Sequence, residues 1–333
     1  MPTFFEPLQI GNFQLPNRLV MPPMATSKAE SDGSVSSDLL QYYDERTKGG
    51  FISLVIIEHS FVDPLGKASQ HQLSIADDSM IEPLKKLSNL IHGNGSKAIM
   101  QINHAGSAAS ADVIGNIPVG PSAIANPRKG TMPRELSVSE IEDIILSFKK
   151  AAIRVQKAGF DGVEIHSAHG YLLNQFFSPL TNQRTDEYGG KTEDRIKIHL
   201  KIIKAVRSAV GKDFPIFLRL GASDYAIGGI TPEMSQEAAQ ILENAGINVL
   251  DISGGFNGYT IPGSTDQGYF SPLSASIREV VSIPVILTGG ITDIHFAENL
   301  LKENKADLIG VGRPILNDPH WAQQAIETLK HTV

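Results

Sequence analysis

The chain has 333 residues, 41% of them hydrophobic and 20% charged, which is enough apolar material to bury a large core. Its formal charge of -7 is spread without a basic block, which argues against a nucleic-acid partner. With no cysteine, disulfides, Cys-ligated zinc and cysteine-held iron–sulfur clusters are excluded from this sequence.

The N-terminus, Met1-Pro2-Thr3-Phe4-Phe5-Glu6-Pro7, has neither the basic start nor the apolar run of a signal peptide. Leu54-Val55-Ile56-Ile57 is typical of the longest aliphatic runs and is far too short to span a bilayer. The expectation is a cytoplasmic protein with no membrane partner.

In chain order, Leu8–Leu15 reads as a hairpin turning at Gly11-Asn12, placed to plug the N-terminal end of the fold. Short β-rich runs then alternate with helical patterns. Leu19–Met21 is the first strand and leads into Pro22-Pro23-Met24. Ile52–Ile57 is the second, with His59 after it, and Ala98–Ile102 the third. The stretch from His104 to Leu136 is rich in Gly, Ala, Ser and Pro and is expected to form a lid or subdomain.

Ser139–Ala158 carries the clearest helical spacing, in Ile141, Ile144, Ile145, Phe148, Ala151, Ala152 and Val155. Ser137 or Ser139 caps it and Gly159 stops it. Gly162–His166, Ile216–Leu220, Val249–Ser253, Val285–Thr288 and Leu308–Val311 complete the strands. Thr231-Pro232 opens a helix ending near Gly246, Thr292-Asp293 opens another, and Asp318-Pro319 the last.

Several strands are nearly continuous apolar runs, as in a sheet covered on both faces. Eight of them alternating with helices point to a (β/α)8 TIM barrel, one domain over residues 1–333. An open doubly wound sheet is the alternative. It would want a Gly-rich loop after its first strand, where Pro22-Pro23-Met24 stands.

In a barrel the polar residues at C-terminal strand ends build the site. Gly289-Gly290 and Gly312-Arg313 follow strands seven and eight, where backbone amides often hold a phosphate; tight turns are the plainer reading. His166, His169 and Tyr171 cluster at one strand end. Two imidazoles can donate to an oxygen gaining negative charge, and a phenol can deliver a proton. Packing roles and a His-x-x-His metal site are the alternatives, although no third ligand is signposted. A strand arginine, Arg219, needs a partner, either Glu164 or an anionic ligand. Gln101 can both donate and accept at a heterocycle edge, or be a satisfied interior amide.

These motifs resemble the Old Yellow Enzyme family of FMN-dependent NADH:flavin oxidoreductases along essentially the whole chain. The most specific block is His166-Ser167-Ala168-His169-Gly170-Tyr171-Leu172, followed by Phe176-Phe177-Ser178-Pro179, Asn182 and Arg184-Thr185-Asp186-Glu187-Tyr188-Gly189-Gly190. The resemblance implies FMN as cofactor, NADH or NADPH as reductant and a small-molecule substrate. It places Pro23, Met24 and Ala25 along the flavin ring, Gln101 at its pyrimidine side and Arg219 near N1. Gly289, Gly290, Gly312 and Arg313 become the phosphate cradle. His166 and His169 grip a substrate oxygen, and Tyr171 protonates the α-carbon of an activated alkene whose β-carbon receives hydride from flavin N5. Oxygen or quinone reduction, or flavin binding without efficient turnover, are the alternative functions.

The sequence departs from the family at Ala25, where relatives carry cysteine or threonine, and at His59, where a small residue is usual. His59 is expected either to contact flavin or to fill the lid. Lacking the cysteines and the length of the larger relatives, the chain is expected among the single-domain forms. Barrels of this type often associate into homo-oligomers, and the sequence leaves that state open.

Overall fold

The computed structural model describes residues 3–331. Eight parallel strands close into a barrel. They are β1 (Leu19–Met21), β2 (Leu54–Phe61), β3 (Lys97–Asn103), β4 (Gly162–Ser167), β5 (Ile216–Gly221), β6 (Val249–Ser253), β7 (Val285–Thr288) and β8 (Leu308–Gly310). β8 pairs with β1, which closes the ring and leaves no edge. The doubly wound alternative is set aside.

Strand alternation separates two cores. Inside the barrel lie Val20, Leu54, Ile56, Ile99, Phe217, Val249, Ile286 and Leu308. The other faces pack against the surrounding helices. The hairpin pairs Leu8–Ile10 with Phe13–Leu15, turning through Gly11 at φ +53. Its Ile10, Phe13 and Leu15 join the interior cluster, so it closes the N-terminal end.

The helix over Val138–Lys157 is held at its start by a reciprocal Ser137–Glu140 capping box, so Ser137 rather than Ser139 is the cap. Thr231 caps Pro232–Asn244 and Asp293 caps Ile294–Lys302. The last helix begins at Trp321 rather than at Asp318-Pro319. There the Asp318 side chain accepts from His320 N in a turn that precedes the helix.

Between β3 and the Val138–Lys157 helix, the lid holds a 3-10 turn, Gly106–Ala108, one short α-helix, Ala111–Ile114, and a two-residue ladder between Val119–Gly120 and Arg134–Glu135. Arg184 pins it. Its Nη1 donates to Pro121 O at 2.8 Å and to Leu136 O at 2.6 Å, while Nη2 pairs with Asp186. Asn182 ties Phe176 O to Tyr188 O, each at 2.7 Å. Within the motif block after Tyr171, Arg184 therefore braces the lid and Asn182 braces the block itself. No helix among the described residues is long and apolar enough to cross a membrane.

Candidate active site

Above the apolar floor of the barrel, the next inward positions are polar, and strand register sets their neighbours. Gln101 faces Glu164 across β3 and β4, and Arg219 stands between His166 and Asp251. Gln101 Nε2 donates to Glu164 Oε1 at 2.7 Å. Arg219 pairs with Asp251, Nε to Oδ2 at 3.2 Å, and not with Glu164 as one of the sequence readings had it. Glu164 is spoken for by Gln101, whereas Asp251 lies beside Arg219 on the next strand. Burial holds the Glu164 carboxyl well above the usual range, with Asp251 adding to the rise and Arg219 opposing it. Burial also raises Asp251 to about 6, with Arg219 pulling the other way.

β2 departs from simple alternation. Ile57 pairs with Met100 but Ser60 with Ile102, so Glu58 and His59 together face the single residue Gln101. The strand thus runs past the expected end at Ile57, through the bulge to Phe61. Glu58 turns to the segment after β1, accepting from Thr26 Oγ1 at 2.7 Å, and burial raises its carboxyl to about 7. His59 lines the cavity, its Nε2 3.0 Å from Tyr171 Oη.

At the end of β4 the backbone turns sharply. His169 has φ +60, a region few non-glycine residues occupy, and Gly170 follows at +73. Asn174 Oδ1 accepts from Gly170 N at 2.7 Å, and Arg128 Nη1 donates to His169 O at 3.2 Å. This turn brings His169 and Tyr171 back over His166: the ring centroids lie 5.2 Å and 5.1 Å from His166. His169 Nε2 is 2.7 Å from Ser253 Oγ. Burial, reinforced by neighbouring imidazoles and Arg219, holds both histidines well below the usual imidazole range. Burial pushes the Tyr171 phenol up to about 12. The site therefore presents two neutral imidazoles and a protonated phenol at neutral pH.

His59, His166, His169 and Tyr171 face one cavity of about 470 Å³, lined also by Pro23, Met24, Ala25, Gln101, Arg219, Gly289, Gly290, Gly312 and Arg313. Every sequence-predicted site residue is on its wall. Among the described residues no group of three His, Cys, Asp or Glu is placed to hold a metal ion. Thr288, at the end of β7, lines the cavity too, and sequence reasoning passed over Ser253, Tyr259 and Tyr269. Ser253 ends β6, so the strand-end rule would have found it; the tyrosines arrive from a loop.

The cavity suits a flavin nucleotide. Its volume is in the range of cofactor sites. At the rim, a Cβ on Gly290 would come 2.6 Å from Tyr269, and one on Gly312 would come 2.9 Å from Met24 Sδ. These glycines let Tyr269 and Met24 pack directly on the backbone of the rim, with Arg313 nearby. Deeper in, Glu164 Oε2 and His166 Nδ1 are buried without a hydrogen bond. Such groups suit the polar edge of a heterocycle.

Comparison with known proteins decides the family: the NADH:flavin oxidoreductase / NADH oxidase family matches residues 3–332. The chain belongs to this family. It is 43% identical over 332 residues to an NADH oxidase of Thermoanaerobacter brockii, covering 98% of this chain and 51% of that protein. It is 40% identical to an NADPH dehydrogenase of Clostridium acetobutylicum, covering 95% of this chain and 92% of the relative. The old yellow enzyme homologue from Zymomonas mobilis superposes with a TM-score of 0.86 at 29% identity, covering 98% and 93% of the two chains. The chain spans about half the length of the first of these relatives. As a member of this Old Yellow Enzyme-type family, it takes FMN as cofactor.

Proposed function

We propose that this barrel, acting as one FMN-binding domain over residues 1–333, reduces an activated alkene such as an α,β-unsaturated carbonyl at the expense of NADH or NADPH. When bound, FMN would supply the redox chemistry, the transfer of one hydride, two electrons with one proton, between nicotinamide and alkene. Pro23, Met24, Ala25, His59, Gln101 and Arg219 would surround its ring, and Gly289, Gly290, Gly312 and Arg313 its phosphate.

His166 and His169 orient the substrate oxygen. Each neutral imidazole offers one N–H, and that hydrogen bond strengthens as the oxygen gains enolate charge. Ser253, bonded to His169 Nε2, fixes that ring and its tautomer. Tyr171, protonated throughout the physiological range, donates its proton to the α-carbon. The observation that carries this reading is the convergence of His166, His169 and Tyr171 over one cavity, around a backbone turn strained at His169.

The name of the Thermoanaerobacter brockii relative favours oxygen as a second acceptor. Anaerobic stopped-flow mixing of the reduced holoenzyme with cyclohexenone separates the two. Rapid return of the yellow colour without oxygen supports alkene reduction. Return only on admitting oxygen supports the oxidase reading and overturns ours.

A further inference from the structure

The bulge in β2 has put a histidine where it touches the phenol oxygen. A regular ladder would alternate Glu58 inward and His59 outward; here both oppose Gln101. His59 Nε2 lies 3.0 Å from Tyr171 Oη, although the two are 112 residues apart in sequence. The carbonyl of His59 accepts from Gln72 Nε2 at 3.1 Å, which fixes the backbone behind the ring. Around the ring stand Tyr171 at 5.4 Å and His166 at 6.3 Å between centroids, with Arg219 adding positive potential. Among the described residues no protein group partners the other ring nitrogen, Nδ1.

We propose that His59 is a positioning residue for proton delivery: it holds the Tyr171 hydroxyl toward the cavity and donates Nε2–H to the phenol oxygen as the proton leaves. This rests on the reading of Tyr171 as proton donor. In that step the Tyr171 O–H bond breaks, its proton forms the new C–H bond, and the electron pair stays on the phenol oxygen. The phenolate later regains a proton from solvent. A hydrogen bond from an imidazole N–H is stronger to that phenolate than to the neutral phenol, so it favours the transition state over the ground state. Burial and Arg219 lower the imidazole to about 4, so His59 is neutral and carries a single N–H. It therefore assists without competing as an acid.

The test uses holoenzyme carrying His59→Ala, His59→Gln, Tyr171→Phe, or His59→Ala with Tyr171→Phe, each first checked for FMN content. The oxidation of reduced enzyme by cyclohexenone should slow about tenfold or more in His59→Ala, and by several times more than bleaching by the nicotinamide does. His59→Gln, which keeps an amide N–H, should recover much of the loss. In the Tyr171→Phe background, His59→Ala should cost nothing further. In flavin-free protein, the ¹⁵N resonance of His59 Nε2 should move on Tyr171→Phe. Additive losses in the double variant, or equal losses in both half-reactions, would overturn the proposal. So would an unmoved Nε2 resonance, which also serves should His59→Ala fail to hold FMN. If wild-type enzyme reduces no alkene, or Tyr171→Phe is silent, the underlying reading has failed instead, and the His59 role with it.

Discussion

Arg219 lies against Asp251, Nε 3.2 Å from Oδ2, and the two face each other in register across β5 and β6. The carboxylate offsets part of the positive charge that Arg219 brings to the cavity. That offset depends on pH, because burial raises Asp251 to about 6.

Asp251→Asn should therefore raise the midpoint potential of bound FMN, on the order of 30 mV for the two-electron couple. The gap from wild type should be wide at pH 8, where Asp251 is ionised, and narrow at pH 5, where it is protonated. Spectroelectrochemical titration at the two pH values measures this. Identical potentials at pH 8 would mean that Asp251 does not shield Arg219.

Ala25 faces the cavity with no polar group to offer, and the hydroxyl of Thr26 is committed to Glu58 at 2.7 Å. Neither can donate to a flavin carbonyl. Ala25→Thr and Ala25→Cys should each raise the FMN midpoint potential, by roughly one hydrogen bond's worth, about 30 mV. No upward shift in either variant would remove residue 25 from the determinants of potential.

Glu58 makes a stability prediction. Its folded value of about 7 lies above its unfolded value, so the protonated form is the one folding favours. That contribution is complete below the unfolded value near 4.5 and is lost as pH rises through about 7. Wild-type stability should thus fall between pH 5.5 and 8.5 relative to Glu58→Gln, by an amount on the order of 2 kcal/mol. Urea unfolding at both pH values tests it. Parallel pH profiles for the two proteins would show that Glu58 is ionised throughout.

Tyr171→Phe should leave reduction by the nicotinamide intact and slow alkene reduction on the order of 10²-fold, the scale of a positioned general acid. Rapid kinetics of the separate half-reactions reads both. Equal losses in the two would remove the proton-donor role.

Much of the architecture is legible in the chain. β1, β6 and β7 are bounded by polar, Gly or Pro residues, and their expected limits are the observed ones. The hairpin follows from local chemistry alone, which also narrows the cap of the Val138–Lys157 helix to Ser137 or Ser139. What needs a neighbouring strand is not legible. Glu164 and Asp251 are equally plausible partners for Arg219 until the register is known. The bulge that aims His59 inward exists only relative to β3. The Arg184-Thr185-Asp186 run stood out as a motif, yet Arg184 and Asp186 brace the lid, a role visible only once Pro121 and Leu136 are seen beside them.

The account rests on a flavin filling the cavity beneath His166, His169 and Tyr171. The direct measurement is visible absorbance of the flavin-free protein titrated with FMN, followed by anaerobic addition of NADH and, separately, NADPH. One FMN bound per chain, bleached by at least one nicotinamide, is the predicted result. A protein that stays colourless after titration and gel filtration would contradict it.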